Sequence, residues 1–334
     1  MRSLLALILL AAMAWAGYWF VGKTGLDRAF PAWFEARRAE GWVAEAAQTR
    51  TRGFPNRFDT TFTDIRLADP ETGLAWDAPV FQLLVLSYKP NHVIAVWPET
   101  QRIATPLAKY RIKSADMRAS LVTDAGSRLP LRRAVLTAKR LAITREGNAR
   151  PIRAETLRLA AERQPTAPAT YRIGLAADGL SPALDWRTRL DPAGRLPDRF
   201  DAFKADLSVA FDKPWDRLAI EEARPQPRRI DIELAEARWG RLELQAAGKV
   251  TVDAAGQPEG DIMVKARNWR DILQMAVASG RIGDGFATTL ADALTLISQM
   301  AGNPRTLDIP LKFSGGRVRL GPVPLGPAPV LRIR

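Results

Sequence analysis

The chain has 334 residues, enough for one large core or two ordinary ones, and its 47% hydrophobic and 25% charged residues are ordinary globular values rather than those of a disordered chain. It has no cysteine, which excludes structural disulfides, a lipid-modified cysteine and thiolate metal sites. The formal charge is +13, and arginine outnumbers lysine 39 to 10, so an anionic partner is expected: nucleic acid, anionic lipid head groups or acidic glycans.

The arginines form no block. They are spread through alternating segments, as in Arg132-Arg133, Lys139-Arg140 and Arg317-Val318-Arg319. That is the pattern of solvated outer strand faces.

The first element is an uncharged, mostly apolar run from Leu4 to Val21, with Leu4, Leu7 and Leu10 early and Trp15, Tyr18, Trp19 and Phe20 crowding its far end. As a helix it is about 27 Å long, close to a bilayer core, and amphipathic rings favour the interface. Residues 1–23 are read as a membrane anchor. The alternative is a cleaved signal peptide, because Ala12-Met13-Ala14 and Ala14-Trp15-Ala16 fit the small-x-small rule. The body is exported in either case, which disfavours nucleic acid and leaves an anionic membrane surface as the compatible partner.

Gly17 to Thr24 matches the phosphate-loop pattern G-x-x-x-x-G-K-T letter for letter. A working loop follows a buried strand and opens a helix. Here aromatics fill the loop positions and the preceding segment is the anchor, so Lys23 reads as a juxtamembrane charge.

Residues 24–52 are expected to form a collar helix. Trp33, Phe34, Trp42 and Val43 recur at near-helical spacing from Phe30 to Arg50, with Gly41 weakening the middle. From Gly53 the pattern becomes strands and turns, and residues 53–334 are read as a β-rich body. Val80 to Leu86 and Val93 to Trp97 form the clearest hairpin, turned at Lys89-Pro90-Asn91-His92 and apolar enough for burial on both faces.

Strict alternation then dominates. Phe203, Ala205, Leu207, Val209 and Phe211 alternate with Lys204, Asp206 and Ser208, and Leu242, Leu244, Ala246, Gly248, Val250 and Val252 repeat the frame. Period two over so many segments predicts a large antiparallel sheet with one greasy face. A break near residue 165 would divide it into two similar sheet halves. Helices interrupt at Trp269 to Val277, ending near Gly280, and at Ala287 to Met300, stopped by Asn303-Pro304. The tail from Gly321 to Pro327 is too rich in proline for a sheet interior.

Catalytic chemistry is sparse. The single histidine, His92, falls in the expected hairpin turn and has no visible partners for a metal or a triad. No nucleophile elbow or zinc signature occurs, and Glu221-Glu222 reads as solvated loop. No cofactor is expected. Trp76, Trp97, Trp186, Trp215, Trp239 and Trp269 fall at strand ends and turns, suited to core filling or to the rim of an apolar groove.

The segments Gly53-Phe54-Pro55-Asn56-Arg57-Phe58-Asp59, Leu74-Ala75-Trp76-Asp77-Ala78-Pro79 and Leu86 to Ile94 resemble an uncharacterised proteobacterial family, known as domain of unknown function 2125. Gly256-Gln257-Pro258-Glu259-Gly260 leading to Asn268-Trp269 fits it too. The resemblance implies a cell-envelope location and brings no catalytic residues. More loosely, an anchor with a long amphipathic sheet resembles the AsmA-like envelope proteins, whose curved sheets are associated with phospholipid handling.

The expected architecture is therefore mainly β with α: a large curved antiparallel sheet with helices packed on it, after one N-terminal transmembrane helix. The expected location is the inner membrane with the body in the periplasm. Three functions compete. An apolar groove lined by Phe203, Leu207, Val209, Phe211, Leu242, Leu244, Val250 and Val252 would bind phospholipid. A dry core would make an anchored scaffold for other envelope proteins. A cleft with two carboxylates would make a hydrolase.

Overall fold

The structure is a computed structural model, and it describes residues 1–147, 150–191, 194–221, 223–278, 283–300, 306–320 and 323–333. Strands take 54% of the residues and helices 21%, with antiparallel pairing throughout. Two compact units emerge. One comprises Met1–Thr123 and Leu136–Gly147; the other comprises Asp124–Val135 and the chain after residue 147. The division thus falls earlier than residue 165, which lies in a tight hairpin turn between two fully paired strands.

The first unit begins with α1 (Arg2–Ala39), one helix of 38 residues. It absorbs the anchor and the front of the expected collar, running straight through Pro31. The collar reading over-extended the helix. Gly41 is not a weak middle but the stop: at φ 87° it takes the left-handed conformation after the helix. The Gly41 N–H bonds the Arg38 carbonyl at 2.9 Å and the Trp42 N–H bonds the Arg37 carbonyl at 3.0 Å, the pair of bonds of a Schellman cap. The chain then forms β1 (Val43–Glu45) and β2 (Gln48–Arg52).

Next come β3 (Arg57–Asp69), β4 (Leu74–Leu86), β5 (Lys89–Trp97), β6 (Thr100–Thr105), β7 (Ala108–Lys113), β8 (Asp116–Thr123) and β9 (Leu131–Arg145), whose first residues belong to the second unit. β3 pairs with β1, β2 and β4. β4 forks: its second half pairs with β5 and its first with β6, and those lead on to β8 and β7. The hairpin turn sits at Ser87-Tyr88, so His92 lies inside β5 rather than in a turn, with its Nε2 2.9 Å from Ser120 Oγ. The apolar residues from Val80 to Leu86 and from Val93 to Trp97 are half-buried, short of the full burial expected.

α1 lies against β1 and β2, and its rings reach Phe58 and Phe62 of β3. The apolar residues it shields from solvent, Ala16, Trp19, Gly22, Leu26, Phe30 and Phe34, form a stripe of helical period. Phe34 joins Phe62, Ile65, Ala78 and Ala44 in the core of this unit. Asp64, at φ 49°, breaks the alternation of β3, so Phe62 and Ile65 both point inward.

The second unit is simpler. Its elements are β10 (Ile152–Gln164), β11 (Ala167–Asp178), α2 (Leu184–Leu190), β12 (Ala202–Phe211), α3 (Leu218–Glu221), β13 (Pro227–Trp239), β14 (Leu242–Val252), β15 (Pro258–Arg267), α4 (Trp269–Ala278), α5 (Asp284–Met300), β16 (Thr306–Ser314), β17 (Arg317–Leu320) and β18 (Val323–Pro327). Each strand from β10 to β18 pairs with the next, an uninterrupted antiparallel meander of nine strands. The proline-rich tail does form a strand, paired with β17 alone among the described residues. The expected helix stops at Gly280 and Asn303-Pro304, like Glu222 and Gly321-Pro322, lie outside the described residues.

Candidate functional site

Residues directly opposite one another in an antiparallel ladder share a face. In the second unit the register aligns four apolar rows across six strands, β11 to β16. The rows are Tyr171-Val209-Ile230-Val250-Gly260-Phe313, Ile173-Leu207-Ile232-Gly248-Ile262-Leu311, Leu175-Ala205-Ala235-Ala246-Val264-Ile309 and Ala177-Phe203-Ala237-Leu244-Ala266-Leu307. The frame survives the change of parity in β13 because a bulge between Ile232 and Ala235 inserts one residue there.

The reverse face is ionic. Arg172 Nε donates to Asp206 Oδ1 at 2.9 Å, Glu236 lies between Lys204 (2.9 Å) and Arg238 (3.2 Å), and Arg229 and Arg267 meet Asp231 (3.0 Å) and Glu243 (3.4 Å). The Arg172 guanidinium, through its hydrogen bond, holds the Asp206 carboxyl below the usual carboxylate range. A shallow cavity of about 510 Å³ on this side has Ala160, Gly174 and Ala176 in its lining and Arg158, Glu162, Arg172 and Lys204 around it. The excess of arginine is thus largely the solvated side of the sheet.

All eight residues of the expected groove lie on the apolar face, but they divide by burial. Val209, Leu242, Val250 and Val252 are buried core, whereas Phe203, Leu207 and Phe211 are half-buried and Leu244 is 37% exposed. The two ends of the face are covered. At one end Trp269, Leu290 and Leu294 from the helical insertion pack on Ala266, Leu307 and Leu320, while Ile272 and Met275 of α4 reach Trp239 and Leu242. At the other end Tyr171, Phe211 and Trp215 form a chain of edge-to-face rings. The Tyr171 hydroxyl accepts from the Trp215 N–H at 3.1 Å and donates to the Leu131 carbonyl at 3.3 Å, and burial pushes its pKa up.

The C-terminal segment straps the same end. Leu331 N–H bonds the Gly256 carbonyl at 2.8 Å, and the Gln226 side chain makes two bonds to the Ile333 backbone.

The two middle rows lie between these covers. Every one of their residues, from Ile173 to Leu311 and from Leu175 to Ile309, is only half-buried. Gly248 and Gly260 have φ of 153° and 141°, and a Cβ on either would stand 2.3 Å from a carbonyl oxygen of the neighbouring strand. They bring β14 and β15 together where no side chain fits, and leave two positions of the face bare.

The tryptophans follow this plan. Trp239, Trp186 and Phe200 stack at the helix-covered end, with Trp239 Nε1 bonded to the Pro197 carbonyl at 2.7 Å. In the first unit Trp76 and Trp97 flank Phe81 in a ring ladder.

A second cleft, about 350 Å³, lies in the first unit and brings together Asp64, Asp77, Gln101, Arg66, Arg102 and Arg111. Arg102 clamps Asp77 through Nε at 3.0 Å and Nη2 at 2.6 Å, and Gln101 accepts from Trp76 Nε1 at 2.6 Å. The sequence reading missed this cleft, because its residues come from β3, β4, β6 and β7 and share no local motif.

The phosphate-loop lookalike is part of α1 from Gly17 to Thr24. Its interior N–H groups are bonded along the helix and cannot cradle phosphate. Lys23 pairs with Asp27 one turn on. α1 is also the one helix, among the described residues, long and apolar enough to cross a membrane. Of the anchor residues, Leu4, Leu7 and Leu10 are exposed, as are Trp15 and Phe20, while Trp19 is buried against the body.

No curated protein and no solved structure matches the chain. The family model described as "Uncharacterized protein conserved in bacteria (DUF2125)" matches residues 19–329, from the buried Trp19 to just short of the C-terminal strap. With the match covering both units, the chain belongs to the DUF2125 family of bacterial proteins.

Proposed function

We propose that this is a non-catalytic, single-pass protein of the inner membrane, with its body in the periplasm, and that the apolar face of the second unit binds phospholipid acyl chains. The observation that supports it is the half-open centre of that face. Its two middle rows, of Ile, Leu, Val and Ala with Gly248, stay in partial contact with solvent between covered ends, and are closed at the β16 edge, where Ile309 and Leu311 pack against the helix-covered core. Six strands at about 4.8 Å spacing make a trough roughly 24 Å across. The hydrocarbon of one leaflet is about 15 Å deep, half of a ~30 Å core, so an acyl chain fits within it. Covering the strip would remove apolar surface from water at about 25 cal/mol per Å².

The hydrolase reading finds less support, since Asp77 in the mixed-charge cleft is engaged by Arg102. The scaffold reading requires the central rows to be covered by protein.

The test uses the full chain reconstituted with a phospholipid carrying a photoreactive group on its acyl chain. Adducts are expected on the open part of the face, near Leu207 and Ile232 of a middle row and the exposed Leu244 of the row beside it. They should be lost in Leu244→Asp, on an already exposed position, and retained in Ser208→Asp on the reverse face. Adducts confined to α1 would refute lipid binding by the sheet.

A further inference from the structure

The length of the apolar run conflicts with where the body begins. A span needs nearly all of Leu4 to Val21, about 27 Å against a core of about 30 Å. Yet residues 15–21 already lie against the first unit. Trp15 Nε1 donates to Asn56 Oδ1 at 3.3 Å, the Tyr18 hydroxyl donates to the Ser87 carbonyl at 2.7 Å, and Trp19 Nε1 donates to the Arg57 carbonyl at 2.7 Å. Trp19 stacks on Phe58 with its ring 5.9 Å away, and only 4% of it is exposed. The free part, Leu4 to Ala14, measures about 17 Å. A bilayer that covers the whole apolar run must therefore also reach the two turns beside it, residues 53–57 and 87–88.

Those turns suit that position. Phe54 is 54% exposed and Tyr88 56%, and they flank the exposed Phe20 and Tyr18 of α1. Several of their backbone polar groups are tied off internally: Arg57 N–H to the Gly53 carbonyl at 2.8 Å and Ser87 N–H to the Asn56 carbonyl at 2.9 Å, with Ser87 Oγ donating to the Pro55 carbonyl at 3.3 Å. Each such bond lowers the cost of placing a segment in a poorly hydrated layer. Lys89, exposed beside Tyr88, adds a cation at the level where anionic head groups would lie.

We propose that the 53–57 and 87–88 turns, with the aromatic side of α1, form a seat in the interfacial layer of an anionic bilayer. The proposal rests on the membrane-anchor reading above. α1 continues from the span into the body without a break, so the seat sets the first unit at a defined height and orientation rather than on a tether.

The absence of cysteine permits a direct test in the full chain. Single substitutions Leu7→Cys, Phe54→Cys, Tyr88→Cys and Leu107→Cys all fall on exposed side chains. Each variant is labelled with a fluorophore and reconstituted in vesicles of phosphatidylethanolamine and phosphatidylglycerol with nitroxide lipids. Leu107 is the control: it lies by the far end of β3 and β4, where Gly73 meets Pro106, about 40 Å along the strands from Arg57.

The seat requires the label at 54 and 88 to be quenched by head-group nitroxides, the label at 7 by acyl-chain nitroxides and the label at 107 by neither. If 7 is quenched while 54 and 88 behave like 107, the seat is wrong and the anchor stands. If 7 is not quenched, the anchor reading fails and the seat with it.

Discussion

The two units solve the same problem, burying a greasy sheet, in opposite ways. In the first, α1 lies against β1 and β2 and sets Phe34, Phe30 and Trp19 against rings of β3, while β4 and β5 carry apolar residues on both sides. In the second, nine strands in simple succession segregate apolar rows to one face and ion pairs to the other, and helices cover only an end. The difference teaches that amphipathic alternation alone leaves a face open. Closing it takes an element of matching length from elsewhere in the chain, and α1 supplies that for the first unit.

The sharpest way to break this contrast is to remove the key of the helix. Trp19→Ala deletes a buried ring, its stack on Phe58 and its bond to the Arg57 carbonyl. We expect a loss of about 3–5 kcal/mol. Hydrogen exchange followed by mass spectrometry should localise the loss of protection to β2, β3 and β4, leaving β12 to β15 protected. Equal loss in both sets of strands would show that the units do not behave separately.

Leu307→Ala tests the covered end of the second unit. The side chain is fully buried under the helical insertion, and about 2–5 kcal/mol should be lost. Leu244→Ala lies in the same row at 37% exposure and should cost no more than about 1 kcal/mol. Equal costs in chemical denaturation would mean that the open part of the face is closed in solution.

Two glycines of α1 should respond with opposite signs. A Cβ at Gly22 would stand 2.6 Å from the Phe58 ring, so Gly22→Ala should destabilise by about 1–3 kcal/mol. Nothing lies within 4 Å of a Cβ at Gly25, so Gly25→Ala should stabilise the helix by up to about 1 kcal/mol. Thermal unfolding of the pair reads the docking of the helix directly, and the same sign for both would refute it.

The smallest effect belongs to the ionic face. The folded-state pKa of Asp206 is depressed, so the Arg172 pair contributes stability above the ordinary aspartate pKa. That contribution is lost as pH falls through the lowered value. Arg172 is well exposed and Asp206 about one-third exposed, so solvent screens the pair and Asp206→Asn should shift the melting temperature at pH 7 only at the edge of detection. The variant should also lose part of the acid dependence; an unchanged acid profile would mean that the pair contributes nothing.

Much of the second unit was legible residue by residue. Phe203 to Phe211 and Leu242 to Val252 alternate strictly, and alternation names both the strand and its greasy side. The division of those residues into buried Val250 and half-open Leu207 was not legible, because it depends on helices and a C-terminal strap far away in sequence. In the first unit the sequence pattern around Gly41 points the wrong way. A glycine inside an apolar stripe looks like a weak helix residue until the bonds from Gly41 and Trp42 back to the last turn are seen. His92 looks like a turn residue from sequence because Pro90, inside β5, mimics a turn signal.

By itself the sequence determined the apolar run from Leu4 to Val21, the β character of the body and the face that each alternating segment turns to solvent. These are local periodicities, and the backbone geometry of helix and strand converts them into structure without reference to distant residues. Only the tertiary structure decided that the run docks on the body from Trp15 onward, that the chain divides before residue 165 and that the middle rows of one sheet face stay half-open. Each of these depends on which distant segment supplies the opposing surface, and no local pattern carries that information.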